Sequence, residues 1–171
     1  MTKKAFKSTF LSMLVLALFI PIVSNAASCS ESKWKRAVKA GNSAVDEHNR
    51  AIDYFNDARE HCNDDIFGYF YPIGEFAERQ FSELSSHQAQ MNQATEHYEN
   101  TRRLFGNAAD QWYELYDSCD GDNSNSAYKF YIRSRDNKAK AAKQYHRAND
   151  CSSQLGKMKE AMLSAMPSLD D

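Results

Sequence analysis

Large aliphatic side chains are scarce in this 171-residue chain. Beyond residue 26 it holds only 12 leucines, isoleucines and valines, against 18 aromatics. A leucine-rich interior is excluded, so the core is either aromatic and alanine-rich or thin. Basic charge is not in surplus. The chain has 21 Lys and Arg against 23 Asp and Glu, and Lys3, Lys4 and Lys7 all fall in the first 26 residues. The remaining 18 bases against 23 acids leave a net charge of −5 with histidines neutral. That balance argues against nucleic acid or an anionic membrane surface as partner, since both require basic patches.

Reactive motifs are missing as well. There is no Gly-x-Ser-x-Gly, no P-loop and no glycine-rich dinucleotide turn. No CxxC or Cys/His spacing suggests zinc. Carboxylate-bridged metals in helical bundles use Glu-x-x-His on two helices, because that spacing puts both ligands on the inner face. The residues three before His48, His61, His87, His97 and His146 are Val45, Ala58, Leu84, Ala94 and Lys143. The expectation is therefore no catalytic residue, no metal and no cofactor.

Long apolar runs are absent except at the start. Residues 1–26 read as a secretory signal peptide, with a basic beginning, an apolar stretch from Phe10 to Val23 and small residues Ser24-Asn25-Ala26 at the cleavage position. The uninterrupted run from Met13 to Val23 is short for a span of about 20 residues, so no membrane insertion of the remaining chain is expected. Lipid anchoring at Cys29 is the lesser alternative. Four cysteines follow: Cys29, Cys62, Cys119 and Cys151. Export and an even count read as two disulfides in a periplasmic or secreted protein.

What the chain does contain is helical periodicity. Trp34, Val38, Gly41, Val45, His48, Ile52, Phe55, Arg59, Cys62, Ile66, Tyr69 and Ile73 alternate steps of four and three. Ala37, Ala44, Ala51 and Ala58 run beside them and let a second helix approach closely. A second seam runs through Ala77, Phe81, Leu84, Gln88, Met91, Thr95, Tyr98, Arg102, Phe105, Ala109, Trp112, Tyr116 and Cys119, flanked by Ala94, Thr101, Ala108 and Leu115. A rougher third includes Tyr131, Ser134, Lys138, Ala141, Tyr145, Ala148, Cys151, Leu155, Met158 and Met162. Residues 120–126 read as a turn followed by an N-cap. The spacing predicts an all-α fold: an elongated antiparallel three-helix coiled-coil-like bundle with helices over about 31–71, 75–119 and 127–166, as one domain over 27–171.

In an up-down-up bundle the first and third helices are parallel. Near-equal intervals from Cys29 to Cys62 and from Cys119 to Cys151 then pair Cys29 with Cys119 and Cys62 with Cys151. A turn over 120–126 leaves the second pair about 10 Å out of level.

Two features are candidates for function. The aromatic turn holds Phe67, Tyr69, Phe70, Tyr71 and Phe76, and the topology brings Met162 and Met166 to the same end. Methionine and aromatics together form adaptable partner-binding surfaces. The second is a polar seam of His48, Gln88, Arg102 and Lys138, which would be networked or would line a small-ligand cavity. The preferred reading is an exported, non-enzymatic protein-binding bundle, with an inhibitor or immunity-type protein as one version. A small-ligand carrier and an envelope spacer are the alternatives, and a homo-oligomer is left open.

Overall fold

The computed structural model describes residues 29–62 and 75–165, without the side chains of 60, 61, 75–78 and 165. The leader and the stretch 63–74 lie outside the described residues. Helix α1 spans Glu31–Ala58 and passes into one 3-10 turn, Arg59–Cys62; α2 spans Glu75–Ser118 and α3 spans Gly121–Ala165. No strand occurs among the described residues. The fold is an antiparallel three-helix bundle with two disulfides. At 1.5 Å per residue α2 and α3 are each about 65 Å long, and α1 covers less than two thirds of them.

Helix α1 starts where Ser30 accepts a hydrogen bond from the Lys33 backbone N–H, at 3.4 Å. Its buried face is Ala37, Gly41, Ala44, Ala51 and Ala58. The four alanines are wholly inaccessible, while Val38, Val45, Ile52 and Phe55 are only half-buried. Small side chains hold the α1 and α2 backbones close together, so the alanine row becomes the centre of the interface and the larger residues become its margins. Helix α2 lies along both neighbours, whereas α1 and α3 approach each other at few places.

The register of α2 differs from the expected one by a neighbouring row. Its buried stripe is Met91, Ala94, Tyr98, Thr101, Phe105, Ala108, Trp112, Leu115 and Cys119, with Ala109 beside it. The steps still alternate three and four, but Ala94, Thr101, Ala108 and Leu115 occupy the places assigned to Thr95, Arg102, Ala109 and Tyr116. A helix packed from two sides centres its stripe between its neighbours, and the polar row is displaced to the edge. Buried Thr101 satisfies its hydroxyl within the helix by donating to the His97 carbonyl at 2.7 Å.

The α2–α3 connection is shorter than the sequence suggests. Only Cys119 and Asp120 separate the helices, and residues 122–126, expected as turn and cap, already climb as α3. Asp122 suits the first turn of a helix electrostatically. The Ser124 hydroxyl donates to the Tyr116 carbonyl at 3.0 Å, satisfying an acceptor near the end of α2. Because these residues climb, the two cross-links come level. Cys29–Cys119 has Cα atoms 4.9 Å apart and Cys62–Cys151 has them 5.3 Å apart, both in the range a disulfide requires.

Two clusters fill the interior. Near the first disulfide, Trp34 meets Trp112 edge-on at 5.1 Å and Phe130 at 6.4 Å, so one ring from each helix closes the gap between α1 and α3. Near the second, Met91, Tyr98, Ala148 and Leu155 pack with Phe55, Leu84, Tyr145 and Met158.

Two glycines test this packing in opposite directions. Gly41 lies on the same buried face as the alanine row, and a methyl group added there meets no atom within 4 Å. Gly41→Ala should raise the unfolding free energy by about 1 kcal/mol through helix propensity. Gly121 pivots the hairpin at φ +57° with equally open surroundings. Gly121→Ala should cost about 1 kcal/mol from backbone strain alone. Urea unfolding of the two variants checks both signs.

Candidate functional site: an exposed tyrosine face

The residues expected to form the binding end are mostly beyond description. Phe67, Tyr69, Phe70, Tyr71 and Met166 lie outside the described residues, and Phe76 enters only as backbone in the first turn of α2. Met162 is half-buried near the end of α3, beside Leu163, which is 55% exposed.

The polar seam is not a single site. Arg102 lies at the margin of α2, bonded through Nε and Nη2 to the Glu99 carboxylate at 2.8 and 2.5 Å. That pairing raises the Arg102 pKa and lowers that of Glu99. Gln88 belongs to a different group, on the α2–α3 interface. Its amide donates to the Ser152 carbonyl at 3.5 Å, and Lys159 Nζ donates to its Oε1 at 3.0 Å. The Ser152 hydroxyl donates to Asn92 at 2.5 Å and completes that network. Lys138 is exposed, its ammonium end passing beside Gly106. These side chains were expected to converge; instead Arg102 pairs within α2, Gln88 bonds across to α3, and Lys138 lies exposed beside Gly106.

His48 is half-buried, like Gln88 and Arg102. It packs against Tyr98, with ring centroids 5.8 Å apart, and its buried Nδ1 has no hydrogen-bond partner. Burial, and secondarily the positive charge of Lys140, lowers its pKa below the usual histidine value. Burial likewise pushes the Tyr98 phenol up to about 12. Above a pH of about 6.5 His48 is neutral in both the folded and unfolded chain. Below it the unfolded chain takes up a proton that the fold resists, so stability falls with falling pH until the folded-state value is passed. Urea unfolding should give a lower free energy at pH 5 than at pH 7, and His48→Gln should flatten this dependence. An unchanged slope in the variant would remove His48 as its source.

One polar pair ties α1 to α2 within a half-buried setting. Glu47 Oε1 and His97 Nδ1 are 2.8 Å apart, and Tyr54 stacks on the His97 ring at 5.3 Å and 5°. No Ser, Thr or Cys side chain bonds to the His97 imidazole among the described residues, since Thr101 reaches only the His97 carbonyl, so the pair has no adjoining nucleophile of the kind a hydrolytic triad uses. The described residues also contain no group of three His, Cys, Asp or Glu able to hold a metal ion.

The most developed surface feature was missed in the sequence. Tyr113 and Tyr116 on α2 face Tyr128 and Tyr131 on α3 across the hairpin. Tyr116–Tyr128 centroids are 5.1 Å apart and Tyr113–Tyr131 centroids 5.3 Å; along the helices, Tyr113–Tyr116 is 5.9 Å and Tyr128–Tyr131 6.1 Å. All four pairs are tilted, closing a quadrilateral of rings. Tyr113, Tyr116 and Tyr128 are 50%, 38% and 45% exposed, and Tyr131 is half-buried. Arg135 extends the face: its guanidinium lies 5.6 Å from the Tyr131 ring centroid, and Nη1 donates to the phenol oxygen at 3.3 Å.

Local rules explain the arrangement. Residues three apart on a helix are neighbours, and a short hairpin aligns positions at matching distances from its pivot. The signal in the sequence was two Tyr-x-x-Tyr pairs around Gly121. Assigning Tyr116 and Tyr131 to core seams, and 120–126 to a turn, concealed it. Helix α2 turns Glu114 toward α1 instead, where Lys33 meets it at 2.6 Å and holds its carboxyl below the usual range.

A concavity lies beside the Cys62–Cys151 disulfide. It has a volume of about 470 Å³ and is walled by Phe55, Arg59, Arg147 and Asp150. No protein family, curated protein or solved structure matches this chain.

Proposed function

We propose that the protein is an exported, non-enzymatic binding module that docks another protein on the tyrosine face of its α2–α3 hairpin. The observation that carries this reading is the exposed quartet of Tyr113, Tyr116, Tyr128 and Tyr131 with Arg135 at its edge. Tyrosine and arginine dominate binding hot spots, because they offer large contact area together with a polar handle. The four rings brace one another and stand on helices close to the Cys29–Cys119 cross-link, so little side-chain freedom remains to be lost on association.

Two disulfides and the leader-like residues 1–26 support an oxidising, extracytoplasmic location. No helix among the described residues is long and apolar enough to cross a membrane. An inhibitor or immunity-type role is one form this activity would take. The small-ligand carrier reading moves from the polar seam to the cavity beside Cys62–Cys151, whose volume falls within the range of ligand pockets.

The test compares purified oxidised protein with its Tyr113→Ser/Tyr128→Ser variant in capture from envelope extract, with circular dichroism on both. The expected result is unchanged helicity and a partner affinity reduced about thirtyfold. Equal capture by the two proteins would exclude the tyrosine face as the docking surface. Loss of capture only in Arg59→Gln/Arg147→Gln would instead favour the cavity.

A further inference from the structure

The α2 half of the tyrosine face sits in a stretch of uniform charge, whereas the α3 half carries Lys129, Arg133 and Arg135. From Leu104 to Ser126 there is no lysine or arginine, but there are five acids: Asp110, Glu114, Asp117, Asp120 and Asp122. Two of these are accounted for. Glu114 pairs with Lys33, and Asp122 occupies the first turn of α3, where a helix favours negative charge. Asp110, Asp117 and Asp120 are exposed and have no basic partner among the described residues. Helical spacing puts Asp110 three residues before Tyr113 and Asp117 four after it, so both rim the same face; Asp120 follows at the pivot. The last turn of α2 carries no basic residue to offset them.

Tyrosine rings present a negative face to whatever covers them, and cations are drawn to it. The protein already contains one example, the Arg135 guanidinium over Tyr131. Tyr113, Tyr116 and Tyr128 are more exposed than Tyr131, and no cation lies over them among the described residues.

From the exposed tyrosine quartet and its acidic rim we infer that the segment docked there is cationic: a stretch of partner protein bearing arginine or lysine side chains that lie over the rings and pair with Asp110, Asp117 and Asp120. This rests on the tyrosine face being the docking surface and adds the chemistry of its occupant. Ring faces supply contact area and the carboxylates supply steering, which gives the association a salt-dependent rate and a charge preference. A face of tyrosine alone would accept neutral partners equally well. Unpaired carboxylates beside it repel acidic ones.

The experiment titrates oxidised protein with a fluorescein-labelled oligo-arginine peptide, read by anisotropy across a salt series, with an oligo-glutamate peptide as control. Wild type should bind the arginine peptide and not the glutamate peptide. Tyr113→Ser/Tyr128→Ser keeps every charge and should weaken binding about tenfold. Asp117→Asn/Asp120→Asn keeps every ring and should weaken it to a similar degree while flattening the salt dependence. Circular dichroism verifies that both variants remain helical. Equal binding by the tyrosine variant would reduce the effect to bulk charge and overturn the inference, as would no binding by wild type. Partner capture that depends on the tyrosines but survives Asp117→Asn/Asp120→Asn would leave the docking surface standing and sink the cationic assignment. Capture indifferent to the tyrosines would remove both.

Discussion

The close approach of α1 to α2 is the constraint on which the rest of the bundle depends. It is possible because Ala37, Ala44, Ala51 and Ala58 put only methyl groups between the two backbones. The cost of that geometry is a small apolar yield, since a buried CH₂-sized group contributes only about 0.8 kcal/mol. The four methyl groups together therefore contribute about 3 kcal/mol, which is modest for holding a helix of 28 residues in place. Covalent links offset the deficit. Cys29–Cys119 and Cys62–Cys151 join residues 90 and 89 apart in sequence, and in the chain-entropy model closing such a loop is worth about 4–5 kcal/mol. Because the two loops overlap, their effects do not simply add. Each disulfide fastens one end of the α1 segment, where the alanine row itself gives out.

Thin packing along α1 also explains why the aromatics gather where they do. The alanine row brings α1 against α2 but leaves α1 and α3 apart, and that gap needs large side chains. Trp34, Trp112 and Phe130 fill it near one cross-link; Phe55, Tyr98 and Tyr145 contribute near the other. Helix α2 is thus committed on two sides, and its remaining surface is narrow. Polar residues assigned to the interior by simple counting, such as Arg102 and Gln88, fall on the margins and pair there. Tyr116 falls beside α3 and becomes part of an external face.

Period and cysteine spacing made the fold legible. Two seams with alternating steps of three and four and a rougher third specified three helices, although α1 ends at Ala58 instead of running on to about residue 71, and matched cysteine intervals specified how they are joined. The phase of each stripe was less legible, because two adjacent rows on α2 both alternate correctly. Choosing between Thr101 and Arg102 as interior requires knowing where the neighbouring helices lie. The Asp120–Ser126 stretch misled for a related reason: Asp, Asn and Ser favour turns and helix first turns alike. That choice, together with placing Tyr116 and Tyr131 in core seams, hid the tyrosine face, since Tyr113 and Tyr131 come into register only when α3 begins at Gly121. The aromatic segment around Phe67–Tyr71 was conspicuous by composition and falls outside the described residues.

The two aromatic clusters near the hairpin differ in what the surrounding structure asks of them. Rings at Trp34, Trp112 and Phe130 close a gap that the alanine row creates, with Trp112 buried and the other two half-buried, so their role is accounted for by packing. Tyr113, Tyr116 and Tyr128 close no gap. Their rings brace one another outside the hairpin, where charged side chains would keep the surface soluble at less risk of association. Phenol oxygens soften that exposure but do not explain four rings in register. Nor does stability require acids with no basic partner at Asp110, Asp117 and Asp120, because paired charges would serve a rod at least as well. Aromatic area and unpaired acids therefore occur together beside the hairpin pivot, and the cationic partner proposed for this face would use both.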